Sequence, residues 1–230
     1  MVVLVELSFV TVWRLRPARA TDDKQVRLLK HAGDKTAVAE WTPERIGTGT
    51  PLTAGQRVRL SIEAARDGYL YVIDRELYAD GSTSEPHLIF PTLSIRGGDN
   101  KVAVGKIFDI PNDGTYFILD PSRPDQVGEV LTVLVSPHPL DGFTIGEKDV
   151  VLPAELVASW EKTWGSNTGR LDLAAGAGQT WTKEERDAAA NKRALTADSP
   201  RPQSVFYRPD AKPGDPVLAN VKLRYGAAKR

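Results

Sequence analysis

The chain of 230 residues contains no cysteine, a single methionine and only three histidines. Without thiols there can be no disulfide, no thiolate nucleophile and no thiolate metal site. His31, His87 and His138 are dispersed, and none falls in an H-x-x-x-H pattern, so a zinc site is not expected. An excess of charge is missing as well, because 30 Lys and Arg balance 30 Asp and Glu. That balance argues against nucleic acid as a partner and against a polybasic membrane anchor. Long apolar runs are absent. Glu6 and Ser8 interrupt the apolar N-terminus, which is too short to span a bilayer, so no transmembrane segment is expected. The same stretch has neither a basic n-region nor a small-residue cleavage site and reads as a strand rather than a leader. A leader lost ahead of Met1 would leave the same sequence, and the expected compartment is periplasmic or secreted.

Signatures of catalysis are equally scarce. No G-x-S-x-G elbow exists, and Ser166, in Gly165-Ser-Asn-Thr-Gly169, reads as part of a helix end and connector. Gly176-Ala-Gly178-Gln-Thr180 lacks the Gly-Lys-Ser/Thr ending that holds phosphates and Mg²⁺. No EF-hand spacing is present. No cofactor and no metal are expected, and the chain reads as a non-enzyme.

What the sequence does contain is period-two patterning between turn signals, with 19 Gly and 16 Pro. Val3, Val5, Leu7, Phe9, Trp13 and Leu15 share one face of a first strand, which Pro17 ends. Two short strands, around Val26–Leu29 and Ala37–Trp41, flank a turn at His31-Ala-Gly33-Asp34 and predict a hairpin. Residues 42–56 read as loop. The clearest alternation places Val58, Leu60, Ile62 and Ala64 inward and Arg57, Arg59, Ser61 and Glu63 outward. Arg66-Asp67-Gly68 then predicts a tight turn, with positive φ at Gly68, into a hairpin partner over Tyr69–Asp74. Further strands are expected at His87–Phe90, at Val102–Ile110 with a bulge at Gly105, at Thr115–Leu119 and at Glu129–Ser136.

The period changes after Val151. Pro153 and Gly165 bracket a helix on which Leu156, Trp160 and Trp164 share a face for docking. Residues 165–178 read as a mobile Gly- and Ala-rich segment. Thr182-Lys-Glu-Glu185 is a capping box opening a second, surface-lying helix to about Leu195. Strands return at Ser204–Tyr207 and Val217–Tyr225. The expected fold is therefore all-β, a sandwich-like or partly open barrel domain spanning 1–230, with two short helices inserted before the last strands. Residues 141–203 form the helical and loop excursion, and 204–225 return to the sheet.

One string of motifs is distinctive. It runs Gly68-Tyr-Leu-Tyr-Val-Ile-Asp-Arg75, Leu88-Ile-Phe-Pro-Thr92, Gly97-Gly-Asp-Asn100, Ile110-Pro111, Gly128-Glu129 and Val133-Leu-Val-Ser136 with Pro139-Leu140. Over residues 52–140 this resembles the bacterial family catalogued as domain of unknown function 4384. The resemblance implies a β-rich module used beside other bacterial domains or behind an export signal. It implies no activity.

The residues leave three readings. The first is a non-catalytic interaction or ligand-binding module of a bacterial envelope or signalling system, with a protein or glycan partner. Its expected surface is the loops 74–87 and 91–101, with Arg75, Asp80, Arg96, Asp99 and Asn100 as binding residues. The second is a hydrolase in which two of Asp74, Glu76, Asp80, Asp99 and Asp109 converge as acid and base. The third is an assembly protein dimerising through an edge strand, for which the N- and C-terminal strands are long enough. Tyr69, Tyr71, Phe90 and Phe108 read either as core or as a stacking platform.

Overall fold

The structure, a computed structural model, describes residues 6–22, 28–31, 38–47, 49–64, 66–111, 115–173, 177–200, 203–209, 212 and 214–226. Within them the chain is mostly β, in two stacked sheets that do not close into a barrel. The first sheet is ordered β10 (Phe117–Ile118), β5 (Arg57–Ala64), β1 (Glu6–Pro17), β14 (Ser204–Arg208), β13 (Gly169–Asp172). The pair β2 (Leu28–His31) and β3 (Val38–Arg45) attaches to β1, and β9 (Ile107–Ile110) attaches to β5. The second sheet is ordered β12 (Val150–Val151), β7 (His87–Phe90), β6 (Gly68–Tyr78), β11 (Gln126–Ser136), β15 (Val217–Tyr225), β4 (Pro51–Leu52). There β8 (Lys101–Val102) pairs with β6.

Alternation explains the packing. Val10 and Val12, Val58, Leu60 and Ile62, Leu70 and Val72, Leu131 and Val133, and Ala219 and Val221 all point into one inter-sheet core. The opposite face of the second sheet carries Tyr71, Ile73, Leu134 and Leu218. These are covered by α1 (Ala154–Trp160) and the π-helical turn Glu161–Gly165 that follows it. Trp160 and Trp164 stack at 6.0 Å between centroids on that face, which is the docking role their spacing predicts. The opposite face of the first sheet buries Trp13 and Leu15 under Trp181, just ahead of α2 (Lys183–Ala189).

β1 changes partners along its length. It pairs with β14 over Glu6–Val10 and with β3 over Trp13–Pro17. At the seam the Gln203 side chain accepts from the Val12 N–H, and the Gln203 N–H donates to Thr11 Oγ1. The exposed backbone between two partner strands is thereby satisfied.

Several expectations need correction. β5 and β6 are not a hairpin, because they lie in different sheets and the 66–68 turn is a corner between layers. Gly68 has no positive φ; a Cβ there would collide with the Ser136 carbonyl oxygen, so close strand approach is what requires glycine. The strand expected over Val102–Ile110 is likewise two, β8 in one sheet and β9 in the other. Gly105, with φ 69°, turns the chain between them rather than forming a bulge. Residues 42–45 continue β3 instead of opening a loop. The segment read as mobile contains β13, which pairs with β14. α2 has its capping box but stops at Ala189, and it is anchored by buried Glu185 rather than lying loosely on the surface. β1 is an interior strand and cannot add a partner, while β15 carries β11 on one side and β4 at its last two residues. The hairpin turn at His31-Ala-Gly33-Asp34 lies largely outside the described residues, but Leu28–His31 does pair with Val38–Trp41.

Candidate functional site

The residues expected on the binding loops serve local structure. Arg75 lies on the helix-covered face of β6, where both its terminal nitrogens reach Glu161. Asp80 caps its own turn, accepting from the Ser82 N–H at 2.8 Å and the Ser82 hydroxyl at 2.6 Å. Arg96 covers the Phe108 ring and reaches Asp99 at 3.3 Å, and Asp99 accepts from the Lys101 N–H. Asn100 is buried and donates to the Leu70 carbonyl at 3.0 Å. Arg96, Asp99 and Asn100 share one loop, while Arg75 and Asp80 stand apart from it and from each other. The aromatics divide in the same way. Tyr71 packs under α1, while Phe90 and Phe108 belong to the inter-sheet core, so they form no common platform.

Two carboxylates do converge, with a third that spacing alone did not single out. Asp74 and Glu76 sit on the inward face of β6, where the core residues Leu70 and Val72 give way to polar ones. Glu129 on β11 lies directly opposite Glu76, and Leu131 opposite Asp74. Glu129 is only 8% exposed. Its Oε1 accepts from Gln126 Nε2 at 2.8 Å and from the Tyr225 hydroxyl. Its Oε2, and Oδ1 of Asp74, are buried without any N–H or O–H donor. Two buried carboxyl groups this near each other disfavour carrying two negative charges at once. Burial first, then the Asp74 charge, pushes the Glu129 carboxyl up to about 8. Burial first, then the Glu76 charge, pushes Asp74 up to about 6. Glu76 accepts from the Tyr78 and Ser122 hydroxyls at 2.7 Å each. Asp109 lies elsewhere, on the outer face of the first sheet, paired to Arg59 and accepting from Ser61. The signal that could have found Glu129 was an acidic residue in phase with Leu131, Val133 and Val135.

A concavity lies at the far end of β1 among the described residues. β1 leaves β5 after the pair Leu15↔Arg57 but stays with β3 through Pro17↔Trp41. The chain ahead of β5 turns away at Gly55, with φ 79°. The gap is an open groove of about 460 Å³ lined by Arg14, Leu15, Arg16, Trp41, Gln56 and Arg57, among others. Two other cavities, of about 30 and 20 Å³, have room for little more than water. In the groove Glu44 binds both Arg14, at 2.9 Å, and Arg16, at 2.6 Å, and Asp22 takes Arg16 through two bonds of 2.8 Å. The Arg16 contact holds the Asp22 carboxyl far below its usual range. Arg57 differs. Its guanidinium lies 4.3 Å from the Trp41 ring centroid and 5.1 Å from that of Tyr116. Its Nε is buried without an acceptor. No sequence pattern pointed to this arrangement, because Trp41, Arg57 and Tyr116 come from three separated stretches.

Among the described residues no three His, Asp or Glu are placed to hold a metal ion, and no helix is long and apolar enough to cross a membrane. No family model, curated protein or solved structure matches the chain.

Proposed function

We propose that this β-rich chain is a non-catalytic binding module whose ligand sits in the groove at the end of β1. The observation that carries the reading is Arg57, a guanidinium stacked on two aromatic rings at the groove wall with no carboxylate partner among the described residues. Fixing a cation in place without its counter-ion is unfavourable for folding alone and favourable for a ligand that supplies one. The groove volume lies within the usual range for ligand sites. A role in a bacterial envelope or signalling system, in a periplasmic or secreted setting, is part of the same proposal. Protein and glycan are the partner classes considered. The reading is tested by ¹H–¹⁵N spectra of the full chain titrated with acidic peptides, acidic glycans and inorganic phosphate. Shifts confined to Trp41, Gln56 and Arg57 support it, and a groove silent to every probe counts against it.

A second reading has its own observation. Paired carboxylates held apart in their protonation, as Asp74 and Glu129 are, suit acid–base hydrolysis. Neither residue lines the groove or the two smaller cavities. Release of reducing sugar or peptide from a substrate panel, lost in Glu129→Gln, would favour it over the binding module.

A further inference from the structure

The groove specifies more than an anion. The Arg57 guanidinium is stacked on two rings, those of Trp41 and Tyr116. Stacking engages the face of a guanidinium and leaves its edge, a planar fork of N–H donors that matches a carboxylate. The neighbouring arginines each have a carboxylate partner. Arg14 and Arg16 are held by the carboxylates of Glu44 and Asp22, with Arg16 gripping Asp22 through both terminal nitrogens. Among these five charged groups one positive charge is left over, and of the three arginines Arg57 is the one with no carboxylate partner among the described residues.

The shape of the groove narrows the source of that carboxylate. Sugars are usually held by an aromatic face laid flat on the ring. Here Trp41 and Tyr116 each give a face to Arg57 and also pack on the Trp13, Leu15 and Trp181 cluster. What remains is a shallow channel with apolar and backbone lining at Leu15, Pro17, Ala54 and Gly55. An extended peptide fits a channel of this kind. We infer that the groove takes an acidic peptide segment, with one Asp or Glu carboxylate docking on the edge of Arg57. The inference rests on the binding-module reading and adds the ligand class.

The test uses the full chain and an array of blocked nonapeptides bearing Glu or Asp in varied apolar contexts, each beside its Gln or Asn counterpart. Tetragalacturonate and inorganic phosphate serve as the other carboxylate and the other oxyanion. Acidic peptides should bind about tenfold or more tightly than their amide partners, since a charge-assisted fork is lost in the latter. Raising salt should weaken them. Arg57→Gln should abolish the difference, and Arg57→Lys, which keeps the charge without the fork, should retain only part of it. The circular dichroism spectrum and Tm of each variant report whether it folds, and Arg57→Lys carries the test if Arg57→Gln does not. Equal binding of acidic and amide peptides, or unchanged binding in both Arg57 variants, overturns the inference. If tetragalacturonate or phosphate alone shifts Trp41 and Gln56, the peptide assignment fails while the groove stands as a site. If no probe shifts them, both fail.

Discussion

Glu129 stands directly opposite Glu76 across the β6–β11 register, with Asp74 the next inward residue along β6. Like charges placed opposite each other on one face of a sheet repel. The arrangement is accommodated because hydroxyls serve Glu76 and because burial favours the neutral forms of Glu129 and Asp74.

The two raised carboxyl groups make stability depend on pH with an unusual sign. Glu129 is raised from 4.5 to about 8 and Asp74 from 3.8 to about 6. The folded chain therefore binds more protons than the unfolded chain between those limits. Its stabilisation is complete below the unfolded values and declines as pH rises through 6 and then 8, by at most about 1.4 kcal/mol per pH unit for each group. Asp22 and Glu44 act oppositely. Arg16 lowers Asp22, and hydrogen bonds from Arg16 and Arg14 lower Glu44 against the effect of burial, so their contribution is lost as pH falls below about 4. Denaturant unfolding from pH 3 to 9 should show a maximum on the acid side of neutrality. In Glu129→Gln the decline toward pH 8 should flatten. A wild-type profile still rising from pH 6 to 8 would contradict the raised Glu129 carboxyl.

Glu185 should be one of the most sensitive positions in the helical part. It is 3% exposed, pairs with the buried Arg45 and completes the capping box with Thr182. Glu185→Ala removes the carboxylate partner of a buried cation and should destabilise by about 3–5 kcal/mol. Thr182→Ala removes one cap bond and should cost about 1 kcal/mol. Chemical denaturation of both variants measures the ratio, and near-equal losses would show that the ion pair contributes little.

Two glycines should fail for different reasons. Gly68→Ala drives a methyl into the Ser136 carbonyl and should destabilise by about 1–3 kcal/mol or more. Gly81→Ala meets no atom within 4 Å, so its loss comes only from φ 87° and should be about 1 kcal/mol. Hydrogen exchange separates them: the first should loosen β6 and β11, the second only the 79–82 turn.

Arg75→Ala should leave groove binding unchanged while lowering stability by about 1–2 kcal/mol, through loss of the Glu161 and Thr132 contacts that tie the π-helical turn to the second sheet. Denaturation and the peptide titration, run on one sample, check both halves. Altered peptide affinity would return Arg75 to the binding surface.

Most strands were legible because inward residues alternate with outward ones on β5, β11 and β15, and because Pro, Gly and Asp mark their ends. The helix face of Trp160 and Trp164 and the Thr182 capping box were legible for the same local reason. Partnership was not. Alternation states which face of a strand is apolar, yet β5 and β6 look like a hairpin whether they bond to each other or turn a corner between sheets. β8 and β9, separated by Gly105, were misread for the same cause. β13 is short, carries exposed Leu171 and gains its identity from pairing with β14, so its own residues announce little.

The candidate site divides along the same line. Local sequence determined the all-β character and most strand positions, because these follow from side-chain period and turn chemistry within a few residues. The tertiary structure alone showed what surrounds Arg75 on β6 and the loop residues Asp80, Arg96, Asp99 and Asn100. It alone brought Glu129 near Asp74, more than fifty positions away, and set Arg57 over Trp41 and Tyr116. The physical reason is that carboxylate pairing and guanidinium stacking depend on atoms a few ångströms apart, and in a two-sheet fold those distances come from strand order and register rather than from neighbours in the chain.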